Sequence, residues 1–192
     1  MADNLRGDDH RSETALLLID VINDLEFPGG ESLADQARHI VQPLAQLKAR
    51  AKQAGAAAIY VNDNFGRWKS DFRQILQHCL EDHVRGEFLA TALQPDEDDY
   101  FILKPKNSGF FDSALDILLD HLGAKTLVLT GLATNLCVLF TANDAHMRNY
   151  RVIVPNDCVA AETSDSSEAA LRLMAEELDV DVRPSAGIDL SS

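Results

Sequence analysis

Three residues of unlike chemistry each stand at or just beyond the end of an apolar run. Asp20 follows residues 15–19 (ALLLI), Lys104 follows residues 100–103 (YFIL), and Cys137 comes shortly after residues 126–130 (TLVLT). A thiol, a carboxylate that can take its proton and a cation that offsets the resulting negative charge are the parts of nucleophilic acyl-group chemistry. The segment Thr130-Gly131-Leu132-Ala133-Thr134-Asn135-Leu136-Cys137-Val138 adds a glycine turn and a helix start near the cysteine. The dipole and free N–H groups of a helix N-terminus favour a thiolate. The same N–H groups can hold an oxyanion. Taken singly, each residue has a plainer reading. Free cysteines are usually buried and inert, Asp20 is a strand-end acid, and Lys104 is a lysine laying its stem along apolar surface. Cys79 lies in a helical apolar pattern and reads as core, with His78 beside it as a surface or capping histidine. Cys158 also stands near a strand end and is the rival to Cys137, but it lacks the glycine turn into a helix.

These residues need a scaffold that brings several strand ends together. Residues 15–19, 56–61, 100–103, 126–130 and 151–155 read as strands, and residues 180–182 as a short last strand. Continuous apolar runs of this length suit strands buried on both faces. Helices are expected over residues 32–54, 71–80, 113–122, about 135–148 and 166–178, with Gly55 stopping the first and Gly123 capping the third. Alternating strands and helices predict an α/β fold, a single-domain three-layer α/β/α sandwich with a six-stranded, mostly parallel sheet of Rossmann-like topology. In such sheets a site lies beyond the carboxyl ends of the strands, where the strand order reverses. One domain over residues 1–192 is expected, with its core at about 14–183 and a flexible N-terminal tail at 1–12.

Composition narrows the function classes. The 192 residues are 46% hydrophobic and 25% charged, as in an ordinary globular chain, and the net charge is −14. An acid excess of this size argues against nucleic acid as a partner and against docking on an anionic membrane. No apolar stretch approaches the roughly 20 residues a membrane span requires. The start, MADNLRGDDHRSET, lacks the apolar core of a signal peptide. Three cysteines without a CxxC or zinc spacing suit a reducing compartment, so a cytoplasmic protein is expected. No GxGxxG, GxxxxGK[ST] or GxSxG motif is present. A phosphotransfer receiver would use Asp20, Asp63 and Lys104, but it would leave Cys137 without a role and needs a shorter chain.

Three segments resemble the isochorismatase-like cysteine hydrolases, a family that includes nicotinamidases, N-carbamoylsarcosine, ureidoacrylate and biuret amidohydrolases, and isochorismatases. They are Leu17-Leu18-Ile19-Asp20-Val21-Ile22-Asn23-Asp24, Lys104-Pro105-Lys106-Asn107-Ser108-Gly109-Phe110-Phe111, and residues 130–141 with their TG-x-x-T-x-x-C-V pattern. The resemblance runs from about Ala15 to Val182. It implies an Asp20-Lys104-Cys137 triad in which Asp20 takes the thiol proton, the thiolate attacks a carbonyl carbon, the amine leaves and water hydrolyses the thioester. It also implies an oxyanion hole from the backbone N–H groups of Ala133 and Cys137, a non-proline cis peptide at Leu132–Ala133, and a homo-oligomer, dimer or tetramer. The implied substrate is a small amide or ureide. Alternatives are vinyl-ether hydrolysis of the isochorismatase type, a non-catalytic member, and a redox thiol protein in which Cys158 resolves Cys137.

The chain departs from the nicotinamidases of the family it resembles. They carry a metal site built from an aspartate and histidines after the second strand, whereas here no histidine occurs between Tyr60 and Gln77. No metal and no cofactor are therefore expected, and Asp63 reads as either a pocket residue or, by preference, a strand-end loop acid. The loop from Asn62 to Trp68 should overhang the site. Asn62 and Asn64 are candidates to bind an amide or ureide group, and Phe65, Trp68 and Phe27 to wall the pocket.

Overall fold

The computed structural model describes residues 10–63 and 71–190. Six strands run β1 (Thr14–Ile19), β2 (Ala57–Asp63), β3 (Tyr100–Lys104), β4 (Thr126–Leu132), β5 (Arg151–Ile153) and β6 (Val159–Ala160). Among the described residues the α-helices are α1 (Gly30–Gln53), α2 (Phe72–Glu81), α3 (Glu87–Ala92), α4 (Leu115–Leu122), α5 (Leu139–Met147) and α6 (Ser164–Glu177). The sheet order is β3-β2-β1-β4-β5, with β6 also pairing β4, and the pairings are parallel. β5 pairs the first half of β4 and β6 its last two residues, both on the edge that β1 leaves open, so two short strands lie along one edge.

Helices cover both faces, because every residue of β1 is buried and alternate side chains feed opposite cores. Leu16 and Leu18 join Tyr60, Leu44 and Leu47 under α1, α2 and α3, while Leu17 and Ile19 join Val61, Leu129 and Leu119 under α4, α5 and α6. On α1 the buried stripe Leu33, Ala37, Ile40, Leu44, Leu47 and Ala51 has helical spacing and runs past the internal Pro43. Asp71 caps α2 by accepting the Gln74 N–H, and Thr163 caps α6 by accepting that of Ser166.

Four expectations change. The last strand expected at residues 180–182 is reduced to a single bridge between Ile153 and Asp181, and the sixth strand is Val159–Ala160. The helix expected at about 135–148 opens with a wide π-helical turn, Thr134–Val138, before α5. The six-residue α3 has no counterpart among the expected elements. The expected tail at 1–12 is anchored at its end. Buried Ser12 donates its N–H to Leu122 O at 2.9 Å, and its hydroxyl accepts the Ala57 N–H at 3.2 Å. No helix among the described residues is long and apolar enough to cross a membrane.

Candidate active site

The sheet order puts the carboxyl ends of β3, β2, β1 and β4 side by side, and each contributes one polar side chain. Lys104 ends β3, Asp63 ends β2, Asp20 follows β1 and Cys137 follows β4. Lys104 must reach across β2, a separation of roughly 10 Å between alternate strands. Its long stem does so. Nζ lies 2.9 Å from Asp20 Oδ2, 3.7 Å from Asp63 Oδ2, and donates to Cys137 Sγ at 3.4 Å. Lys104 is fully buried, and Asp20 and Cys137 are 5% and 7% exposed.

Backbone geometry aims the other members. Asp20 adopts the left-handed conformation, φ 50°, a region that aspartate tolerates better than most residues. Its N–H donates to Val61 O at 3.0 Å, and its Oδ1 accepts the Asp63 N–H at 2.7 Å. Gly131, at φ 100°, carries β4 past β1 so closely that a Cβ there would lie 2.0 Å from Ile19 O. The Leu132–Ala133 peptide that follows is cis. In the π-helical turn, Ala133 O accepts from Leu136 N at 3.0 Å and Val138 N at 3.2 Å, passing over the Cys137 N–H between them. The serine of the lysine segment has a clear part: Ser108 donates to Asp144 on α5. Thr141 donates to Cys137 O at 2.7 Å and accepts the Gly109 N–H at 3.0 Å. The lysine-bearing and cysteine-bearing segments are thus tied together.

The electrostatics follow from burial and from these neighbours. Burial first, then the Asp20 charge, push the Cys137 thiol up to about 12. By its own ionisation it would stay a thiol at neutral pH. Burial also raises the Asp20 carboxyl, against the pull of Lys104. Burial works against charge on Lys104, yet Asp20, Cys137 and Asp63 hold its pKa above the ordinary lysine value. Lys104 Nζ lies against both groups, so a charge on either Asp20 or Cys137 has the ammonium beside it. Moving the proton from Cys137 to Asp20 leaves the net charge of the buried cluster unchanged, so no isolated charge is created in a dry site. Burial likewise pushes Cys79 and Cys158 to about 12, so acidity does not distinguish the three thiols. Position does: the Cys137 sulfur has both a carboxylate and an ammonium beside it, while Cys158 meets Asp157.

The profile of the isochorismatase domain matches residues 14–182, most of the chain. The chain belongs to the isochorismatase family. It is 42% identical over 164 residues to an uncharacterized isochorismatase family protein of Bacillus subtilis (strain 168), spanning 85% of this chain and 90% of that one. A maleamate amidohydrolase of Pseudomonas putida is 30% identical over 168 residues, 82% of this chain and 76% of its own. Among solved structures, N-carbamoylsarcosine amidase from Thermoplasma acidophilum superposes with a TM-score of 0.71 at 28% identity, covering 92% and 99% of the two chains.

Within this isochorismatase-family fold, the pocket residues expected from sequence separate. Asn62 is completely buried and donates Nδ2 to Ile22 O at 2.6 Å, so it braces the β1–α1 connection and does not line an open pocket. Phe27 lies in that connection and is 38% exposed. Asn64, Phe65 and Trp68 lie outside the described residues. Asp63, read from sequence as a loop acid, belongs to the cluster. The signal that finds it is the parallel register, which pairs Asp63 with Lys104. His78 bridges Asp24 and Asp82, at 3.3 and 2.7 Å. The residues present do not fit a metal ion of the nicotinamidase kind. The Asp63 carboxylate faces an ammonium, and the histidines such a site requires are missing from residues 61–77. Elsewhere among the described residues Asp96, Asp98 and Asp99 converge, but Lys48 and Lys52 already neutralise them.

Proposed function

We propose that this isochorismatase-family protein is a cysteine hydrolase that cleaves a C–N bond of a small amide or ureide through a thioester on Cys137. The observation that carries this reading is the placement of Lys104 Nζ, 2.9 Å from Asp20 and 3.4 Å from the Cys137 sulfur, in a buried cluster. Asp20 takes the thiol proton as the sulfur attacks the carbonyl carbon, and Lys104 stays beside both charges. The tetrahedral oxyanion is received by the backbone N–H groups of Ala133 and Cys137. The Cys137 N–H stands in the same wide turn that carries the sulfur. Asp20 then hands its proton to the leaving nitrogen, and the amine departs. A water gives its proton to Asp20 and attacks the thioester. The acid is released, and the proton returns to the sulfur.

Amide chemistry is supported by the names of two relatives, the maleamate amidohydrolase and N-carbamoylsarcosine amidase. The test is ammonia release from a panel of nicotinamide, N-carbamoyl amino acids, biuret, ureidoacrylate-like acids and maleamate, with Cys137→Ala as the control. Turnover of a panel member that disappears in Cys137→Ala is the expected result. Turnover that persists in that variant overturns the reading.

A further inference from the structure

Asn62 is expected from sequence to touch substrate, yet its environment gives it another part. It shares a face of β2 with Ala58 and Tyr60, and both belong to the core beneath α1, α2 and α3. Lys104 and the carboxylates gather beyond the strand ends on the other side of that alternation, with Asp63. The Asn62 atom that meets Ile22 O must be the amide nitrogen, because a carbonyl oxygen only accepts. Its Oδ1 is buried without a hydrogen-bond partner. A buried orphan acceptor is a liability that an apolar residue of similar size would avoid, so packing does not explain the amide.

The bonds around it do. Three consecutive residues of β2 hold the stretch at 20–22. Val61 O accepts the Asp20 N–H, Asn62 Nδ2 donates to Ile22 O, and the Asp63 N–H donates to Asp20 Oδ1. Between them Asp20 turns into the left-handed region, which persists only where the surroundings enforce it. The first bond extends the sheet and the third uses the Asp20 carboxylate itself. The second is made by a side chain outside the cluster, and a substitution can remove it.

We infer that Asn62 is a positioning residue for the general base: its amide clamps the turn after β1 so that the Asp20 carboxylate stays against Cys137 and Lys104. The inference rests on the reading of Asp20 as the base.

Asn62→Leu tests it, because leucine has the same side-chain heavy-atom count and branching and removes the donor and the orphan acceptor together. Asn62→Ala is the second variant. The readouts are the melting temperature, kcat and KM for the substrate found by ammonia release, and the rate of Cys137 alkylation by iodoacetamide from pH 6 to pH 10, followed by peptide mass spectrometry. Both variants should remain folded at the assay temperature, which the melting temperature checks. The kcat and the neutral-pH alkylation rate of Asn62→Leu should fall about 10–100-fold, the size of effect expected when a reacting group is misplaced by about 1 Å. KM should stay within about threefold, since no contact to substrate is removed. The alkylation deficit should shrink as pH rises, because the thiol then ionises without the base. A raised KM with kcat retained would make Asn62 a substrate contact and overturn the inference. So would a wild-type alkylation profile, or a fall in activity that only tracks loss of folded protein. A wild-type protein in which Cys137 alkylates no faster than Cys79 and Cys158 would instead refute the reading of the site as a whole.

Discussion

Lys104 is the member of the cluster whose removal has the most calculable effect. Lys104→Met keeps the apolar stem and deletes the ammonium that sits between Asp20, Asp63 and Cys137. Breaking a buried pair by removing one partner costs about 3–5 kcal/mol, because the other charge is left uncompensated. In a domain of this size each kcal/mol is worth ~2–4 °C, so the melting temperature should drop by roughly 6–20 °C. The loss should depend on pH. The folded-state pKa of Asp20 already lies above its ordinary value of 3.8 because of burial, and losing Lys104 raises it further. A carboxyl raised in this way is least costly below its unfolded pKa, and stability is lost as pH rises through the folded value. The variant should therefore be hurt less near pH 4 than at pH 8. Lys104 itself, raised above 10.5, supports the wild-type fold fully below that pH and loses its contribution as pH climbs past the folded value. Adding Asp20→Asn to Lys104→Met removes the orphaned charge, so the double variant should recover much of the stability and none of the turnover. Thermal unfolding of the wild type, both single variants and the double variant at the two pH values closes the cycle. A double variant no more stable than Lys104→Met, or a drop that does not vary with pH, would refute the charge-compensation argument.

Asp20→Asn separates two roles that push the thiol in opposite directions. As a mere neighbouring charge Asp20 raises the Cys137 pKa, and its removal would speed alkylation; as the base it takes the proton, and its removal should slow alkylation about 100-fold at neutral pH. Iodoacetamide kinetics decide, and faster labelling would refute the assignment. Gly131→Ala would place a methyl 2.0 Å from Ile19 O at φ 100° and should cost roughly 3 kcal/mol or more; urea unfolding with an unchanged midpoint would contradict this.

The parts of the molecule that sequence made legible share one physical cause. Strands buried on both faces must be continuously apolar, so residues 15–19, 56–61 and 126–130 announce themselves, and a polar residue that ends such a run stands out as Asp20 does, while Lys104 ends the apolar run of the edge strand β3, whose Phe101 is exposed. Cys137 stands out because glycine and a polar turn separate its helix from a strand. Short elements do not carry that signal. The six residues of α3 and the two of β6 are too few to show a period, and β6 exists because β4 offers it an open edge. The π-helical turn is equally silent, since its widening is set by how Ala133 O is shared between Leu136 and Val138.

Asp63 and Asn62 mark the boundary most sharply. They are adjacent, both polar, both at the end of one strand, and sequence reads the second as the binding residue and the first as a loop acid. Alternation along β2 guarantees that they face opposite ways, but which way leads to Lys104 depends on the neighbour β3 and on the register that pairs Asp63 with Lys104. The amino-acid sequence by itself determined the set of reactive groups and the strands that end in them, because those follow from local residue type and burial. Only the tertiary structure decided that a lysine two strands away meets Asp20 and Cys137, and that Asp63 faces the chemistry while Asn62 faces the core, because strand order and register are properties of pairings between distant segments.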